Sequence, residues 1–304
     1  MERSARQGRI RAALAGKFER AVERGVRARL DEQQLAIDRL DASIDRLRAI
    51  AGSVADDIPG LRRRLGEVRR TDAYHRARNE TEPLVTVRIP TLNRSELLLE
   101  RALPSIARQT YEHFEVIVVG DGCTDDTAAR VEQFGDKRMR FVNLPFQFPY
   151  PSDPEDRWLV AGTQALNHGA ELARGAWIAT LGDDDEFEPH HLECLLDAAR
   201  SSDAEMVYGN ILQHSPPPLE DVVLAAYPPK LGLFNFQVAI VLSALSFFEF
   251  NLQSWTLDEP GDWNLCRRML EAGVRIGYVD RVVARYYPSR LFDTEKWGPR
   301  PADE

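Results

Sequence analysis

Four acids in a row, Asp183, Asp184, Asp185 and Glu186, follow the apolar run "WIATL" at residues 177–181. Acids are depleted in strands and repel one another at short range, so such a run costs stability unless water or a cation compensates. Hard divalent ions such as Mg²⁺ and Mn²⁺ favour carboxylate oxygens and leave room for waters and substrate phosphates. A solvated turn leading into a helix begun by Glu188 and Pro189 accounts for the same residues more plainly. Three other segments carry polar groups at places where chemistry is possible. "IPTLNR" (89–94) breaks its strand at Pro90, which cannot continue a hydrogen-bonded ladder, and Asn93 favours a turn. In "VVGDGCTDD" (118–126), Gly120 and Gly122 let the backbone turn around Asp121, while Thr124, Asp125 and Asp126 offer caps for a helix. "DEPGDWNLCRRMLEAG" (258–273) sets Asp262 at the mouth of an amphipathic helix, where a carboxylate is either an N-cap or a general base.

Positioning these residues requires alternating strands and helices. "LVTVRI" (84–89), "FEVIVV" (114–119), "MRFVNL" (139–144) and "WIATL" read as strands, with helices over 95–108 and 161–173 between them. Strands separated by helix-length segments imply βαβ units and a mainly parallel sheet, and such sheets bind ligands beyond the carboxyl ends of their strands. The Pro- and aromatic-rich segment "PFQFPYPSDPEDRW" (145–158) reads as an insertion that shapes ligand access or as a rigid surface loop. His190, Gln237 and Trp255 are candidates to face an acceptor, although packing explains single residues of these types more often.

Composition bounds the alternatives. A hydrophobic fraction of 43% with 29% charged residues belongs to a globular chain, not a disordered one. The net charge is −9, yet residues 1–70 carry 17 Lys/Arg against 11 Asp/Glu, so the remainder is strongly acidic. Nucleic acid is therefore not an expected partner, and an anionic ligand requires a local counter-charge such as a metal. Three cysteines without CxxC spacing argue against a disulfide framework or a zinc site and fit a reducing cytoplasm. The run at 231–250 has membrane-spanning length but carries Asn235, Gln237, Ser243, Ser246 and Glu249, so it reads as a buried strand pair or strand plus helix.

Glycine, proline and aromatics are sparse before residue 80, which sets a helical segment (1–80) apart from the main domain (81–304). Leu30, Ile37, Leu40, Ile44, Leu47, Ala51, Val54, Ile58, Leu61, Leu65 and Val68 recur at steps that keep one helical seam facing a partner. That predicts a coiled-coil homodimer or a helical hairpin packed on the main domain. Pro59, after two aspartates, ends one helix and starts another. The first 29 residues carry nine basic against three acidic side chains around Ile10, Leu14 and Phe18, a face suited to peripheral contact with an anionic membrane or to solvent.

Taken together, "VTVRIPTLNRSELLLERALPSIARQTYEHFEVIVVGDGCTDDT", "GTQALNHGAELARGAWIATLGDDDEFEPHHLE" and "GDWNLCRRMLEAGVRIGYVDRVVARYY" resemble the inverting family 2 glycosyltransferases of the GT-A fold, across most of residues 84–287. The resemblance implies an α/β domain with a mixed, mainly parallel Rossmann-like sheet flanked by helices. It implies that Pro90, Thr91, Asn93 and Asp121, with Asp183, hold a nucleotide-diphospho-sugar donor, that Asp184 and Asp185 ligate Mg²⁺ or Mn²⁺, and that Asp262 is the base. The acceptor would be the hydroxyl of a glycan, a lipid-linked glycan or a small molecule, at the cytoplasmic face of the membrane. Departures from the family pattern are Leu92 in place of an aromatic, Gly120 and Gly182 in place of acids, and Leu166 in place of an arginine. A sugar-phosphate nucleotidyltransferase is disfavoured because "IPTLNRSE" lacks that class's glycine-rich basic loop. A non-catalytic coiled-coil scaffold on a degenerate transferase fold is the remaining alternative.

Overall fold

A computed structural model describes residues 57–215 and 218–288, together with helical positions Arg27, Arg29, Leu30, Gln33, Gln34 and Ile37. Among the described residues nine strands form one sheet: β1 (Val85–Thr91), β2 (Phe114–Gly120), β3 (Met139–Asn143), β4 (Trp177–Thr180), β5 (Glu186–Phe187), β6 (Met206–Gln213), β7 (Val222–Leu224), β8 (Ala239–Leu242) and β9 (Ile276–Tyr286). Their order is β3-β2-β1-β4-β8-β6-β9-β5, with β7 paired to β6. β1, β2, β3 and β4 are mutually parallel, and β8 is antiparallel to both β4 and β6. The parallel strands therefore end on one edge, and β8 begins there.

Every residue of β2 is buried, as expected of a parallel strand with both faces covered. Helices α1 (Ile58–Val68) and α2 (Asp72–Asn79) precede the sheet. The first begins where the proline signal places it: Asp57 accepts the Gly60 N–H at 2.9 Å, with Pro59 in the first turn. Leu65 and Tyr74 enter the core of the sheet, and Leu61 and Val68 pack against it. The carboxyl-terminal part of the predicted seam thus faces the helix Gly261–Ala272 of the same chain. Leu30 and Ile37 are exposed, while the seam from Leu40 to Val54 and the basic face of the first residues lie outside the described residues.

The helix predicted at 95–108 is interrupted. It runs Ser95–Leu97, widens to a π turn over Leu98–Ala102 and resumes as Leu103–Ala107 (together α3). Pro104 has no N–H to offer the preceding turn, which accounts for the break. The helix predicted at 161–173 forms as α6 (Thr163–Glu171); a further helix, α5 (Pro154–Val160), begins inside the segment read as an insertion and is separated from α6 by a turn with Gly162 at φ +77; α4 is Thr127–Phe134. The apolar run at 231–250 contributes β8 between 3₁₀ turns. Among the described residues no helix is long and apolar enough to cross a membrane. α7 (His191–Ser202) and α8 (Gly261–Ala272) complete the helices named below.

Candidate active site

A cavity of about 590 Å³ opens at the carboxyl edge of the sheet. One wall carries Pro90, Arg94, Gly182, Asp184 and Asp185; the opposite wall carries Asp262 and Trp263 from the start of α8. Because β8 runs against its neighbours, the segment feeding it delivers Phe236 and Gln237 to the same edge. Glu155 and Trp158 of the inserted segment, with Leu159 just after it, also line the cavity. His190 instead hydrogen-bonds the Val282 carbonyl, and Trp255 is not part of the lining.

The acidic run is tied down residue by residue. Asp183 accepts from Thr91 Oγ1 at 2.7 Å and from Arg94 Nη1 at 2.9 Å, and Arg94 Nη2 reaches Asp184 Oδ2 at 2.6 Å. Burial pushes Asp183 up to about 6 against the pull of Arg94 and Thr91. Asp185 takes the Tyr287 N–H at 2.7 Å and a hydrogen bond from Gln237; burial first, then the Asp184 charge, hold its carboxyl well above the usual range. Glu186 and Phe187 pair with β9, and Arg101 fixes the Asp184 carbonyl at 2.9 Å. Gln237, a candidate to face an acceptor, does line the cavity. Arg94 and Tyr287 were not among the predicted site residues, although Arg94 sits inside the loop that carried the prediction.

Asp262 faces the cavity from the first turn of α8. Burial raises its carboxyl to about 6, opposed by the Phe236 backbone N–H and by the charge of Arg88. Pro260 precedes the helix and no side chain caps it, so the N-cap account of Asp262 gains no support from the hydrogen bonds.

Of the residues predicted to hold a nucleoside, only Pro90 lines this cavity. Thr91 is buried against Asp183. Asn93, at φ +52, spends its Oδ1 on the N–H groups of Thr124 (2.8 Å) and Asp125 (3.2 Å), which ties the loop after β1 to the loop after β2. Asp121 accepts the Phe148 N–H at 3.2 Å and is 3% exposed. The inserted segment presses so closely on this turn that a Cβ on Gly122 would lie 2.3 Å from the Gln147 nitrogen. Tyr150, whose hydroxyl is raised by burial and by Asp121, is part of the same cover.

Among the described residues no group of three or more His, Cys, Asp or Glu side chains is arranged to hold a metal ion. The donors at the cavity wall are hard carboxylate oxygens, with Asp184 flanked by the buried Asp183 and Asp185 and neutralised by Arg94. This set fits a cation that takes one or two protein carboxylates and completes its shell with phosphate and water, not a closed protein cage.

Residues 86–240 match the family model described as Glycosyl transferase family 2. The chain is 34% identical over 133 residues to a Campylobacter jejuni protein named GalNAc(5)-diNAcBac-PP-undecaprenol beta-1,3-glucosyltransferase, covering 43% of this chain and 38% of that one. It is 30% identical over 129 residues to Glycosyltransferase GlyG of Streptococcus pneumoniae, covering 42% and 38%. A PGL/p-HBAD biosynthesis glycosyltransferase of Mycobacterium tuberculosis is 31% identical over 137 residues, covering 44% and 48%. The matches thus span less than half the length of each of these relatives. Among solved structures, Staphylococcus aureus TarS 1–349 in complex with UDP superposes with a TM-score of 0.53 at 18% identity, over 70% of this chain and 61% of that one, a likeness of fold.

Proposed function

The chain belongs to glycosyl transferase family 2 and has the GT-A fold, and from that membership we propose that it moves a sugar from a nucleotide-diphospho-sugar to an acceptor hydroxyl with inversion. The observation that best supports this reading is the joining, in one cavity, of the acids after β4 and Asp262 on α8. The first group suits the diphosphate side and the second the acceptor side. Asp262 lies beyond the residues matched by the family model, so its role rests on the cavity and on its own environment.

Asp184, with Asp185 behind it, would hold Mg²⁺ or Mn²⁺, which supplies Lewis-acid charge to the departing diphosphate. Pro90 and Arg94 flank that wall. Thr91 and Asn93 act through the loops they pin, and Asp121 meets a nucleoside only if the Phe148–Tyr150 cover moves aside. In the chemical step the acceptor oxygen attacks the anomeric carbon, its proton passes to an Asp262 carboxylate oxygen, and the bond pair to the leaving oxygen departs with the nucleoside diphosphate. A base near 6 is mostly ionised at neutral pH and still basic enough to take that proton. The acceptor would be a glycan, lipid-linked glycan or small molecule; homodimerisation and peripheral membrane contact would reside in the amino-terminal helices.

The test is thermal unfolding with UDP, GDP, dTDP or CMP, each with Mn²⁺ or EDTA. A ligand that binds only the folded chain raises the midpoint by mass action. One nucleotide should raise it in the presence of metal, and Asp184→Ala should remove the shift. No shift with any of the four would overturn the donor site. Asp262→Asn should keep the nucleotide shift and lose transfer.

A further inference from the structure

Arg88 occupies the middle of β1, between Val87 and Ile89, and is 7% exposed. Gly169 on α6 gives it room, because a Cβ there would come within 3.0 Å of the Arg88 Cβ. The guanidinium donates from Nε to Thr180 Oγ1 at 2.9 Å and from Nη1 to the Leu166 carbonyl at 2.8 Å, and it lies 5.2 Å from the centre of the Phe250 ring. Phe250 is itself clasped by Asn167, which accepts its N–H at 2.8 Å and donates to its carbonyl at 2.9 Å. Leu166, Thr180 and Phe250 all line the cavity that Asp262 faces. Arg88 therefore forms part of the floor beneath that cavity.

Its partners there are neutral, and no carboxylate comes within ion-pair distance of Arg88 among the described residues. A buried charge without a counter-charge is costly, and an apolar side chain of similar length would fill the space without that cost. Packing alone does not account for an arginine at this position. The ring of Phe250 that the guanidinium faces also meets the start of α8, where a Cβ on Gly261 would lie 3.5 Å from it, so Arg88 and the residue next to Asp262 share one aromatic neighbour. The charges of Arg88 and Asp262 favour one another's ionised forms. Burial lowers Arg88 only to about 10, so it is charged wherever Asp262 titrates. The other groups facing Asp262 are Cys266 on its own helix and the Phe236 N–H from the segment before β8, while Asp184 and Asp185 share the cavity wall opposite.

We propose that Arg88 is a positioning residue for Asp262: from beneath the cavity its guanidinium keeps the Asp262 carboxylate ionised and available to the acceptor hydroxyl. The proposal rests on the reading of Asp262 as the base. Without Arg88, burial acts on the carboxyl with less opposition, and more of it is protonated at neutral pH, where it cannot accept a proton.

The experiment is a carboxyl carbon NMR titration of aspartate-labelled protein, with the Asp262 resonance identified by its absence in Asp262→Asn. In Arg88→Met the Asp262 midpoint should rise by about one unit, while Arg88→Lys should stay close to the wild type. A folded Arg88→Met protein that titrates like the wild type would overturn the proposal. If Arg88→Met does not fold, the pair is read from the other side in proteins that retain Arg88. The Arg88 Nε–H resonance should follow the Asp262 titration in the wild type and lose that inflection in Asp262→Asn; a wild-type resonance without the inflection overturns the proposal equally. Neither titration requires a donor or an acceptor. Failure of the reading of Asp262 as the base would appear separately, as transfer unaffected by Asp262→Asn.

Discussion

Glu115 and Glu205 stand at the amino-terminal edge of the sheet, while Asp183, Asp185 and Asp262 stand at the carboxyl edge; all but the half-buried Asp262, which faces the cavity, are withdrawn from bulk water. Glu205 accepts from Arg69 Nε (2.7 Å) and Nη2 (2.6 Å), from the Tyr74 hydroxyl (2.5 Å) and from the Arg275 N–H (2.9 Å). Glu115 accepts from Thr86 Oγ1 (2.8 Å) and from the backbone and guanidinium of Arg174. Burial works to raise both carboxyls, and the hydrogen bonds outweigh it, so both titrate below the usual range. At the carboxyl edge the balance reverses: burial wins, and Asp183 and Asp262 are each pushed up to about 6. Depth does not separate the two edges; the supply of donors does. One edge uses acids to join α1, α2 and β9 to the sheet, and the other keeps acids whose charge the fold itself leaves under-compensated.

The largest expected effect comes from breaking the satisfied edge. Glu205→Ala removes the acceptor of Arg69 Nε, of the buried Tyr74 hydroxyl and of the Arg275 N–H, and should cost about 3 kcal/mol in denaturant unfolding. A loss below about 1 kcal/mol would mean that water replaces the carboxylate easily, and the contrast between the edges would shrink. The depressed Glu205 contributes stability that is present above the unfolded glutamate value and lost as pH falls through its folded value.

Asp262 has the opposite sign. Its folded value near 6 exceeds the roughly 4 of an unfolded aspartate, so the folded state binds the extra proton between them. The stability this confers is present at low pH and is lost as pH rises from about 4 to about 6. Asp262→Asn should accordingly be more stable than the wild type by about 2 kcal/mol near pH 8, with the gain vanishing toward pH 4. Unfolding curves of the two proteins that stay parallel across that range would mean that burial does not raise Asp262, and a loss of stability in Asp262→Asn that grows with pH would place it with the satisfied acids. The smallest effect is expected for Arg174→Ala. The Arg174 side chain is 71% exposed, so water replaces most of what Glu115 loses, and the unfolding midpoint should not move resolvably.

Much of this organisation was legible in the sequence. Strands predicted at 84–89 and 114–119 form at Val85–Thr91 and Phe114–Gly120, because a buried parallel strand announces itself as an apolar run with a turn signal after it. The gathering of acids at strand ends followed from the same pattern. Partnerships were less legible. The spacing of Leu61, Leu65 and Val68 specifies a helical seam but not the surface that fills it, and for these residues that surface lies within the same chain. Asn93 carries a turn signal that says nothing of the two amides it accepts from the next loop. Arg88 left a signal, a charge inside "LVTVRI", but its relation to Asp262 exists only once β1 and α8 meet at the cavity.

β9 carries a consequence for timing. It is the strand that pairs with Glu186 and Phe187, and the Tyr287 N–H just beyond it reaches Asp185 across 102 positions of chain. During synthesis the acidic loop emerges long before the strand that clamps it. A nascent polypeptide halted before β9 would display all the acids of the cavity and lack the arrangement that turns them into a binding site. The assembled acidic wall would then appear late in translation, as a single event, and not accumulate with length.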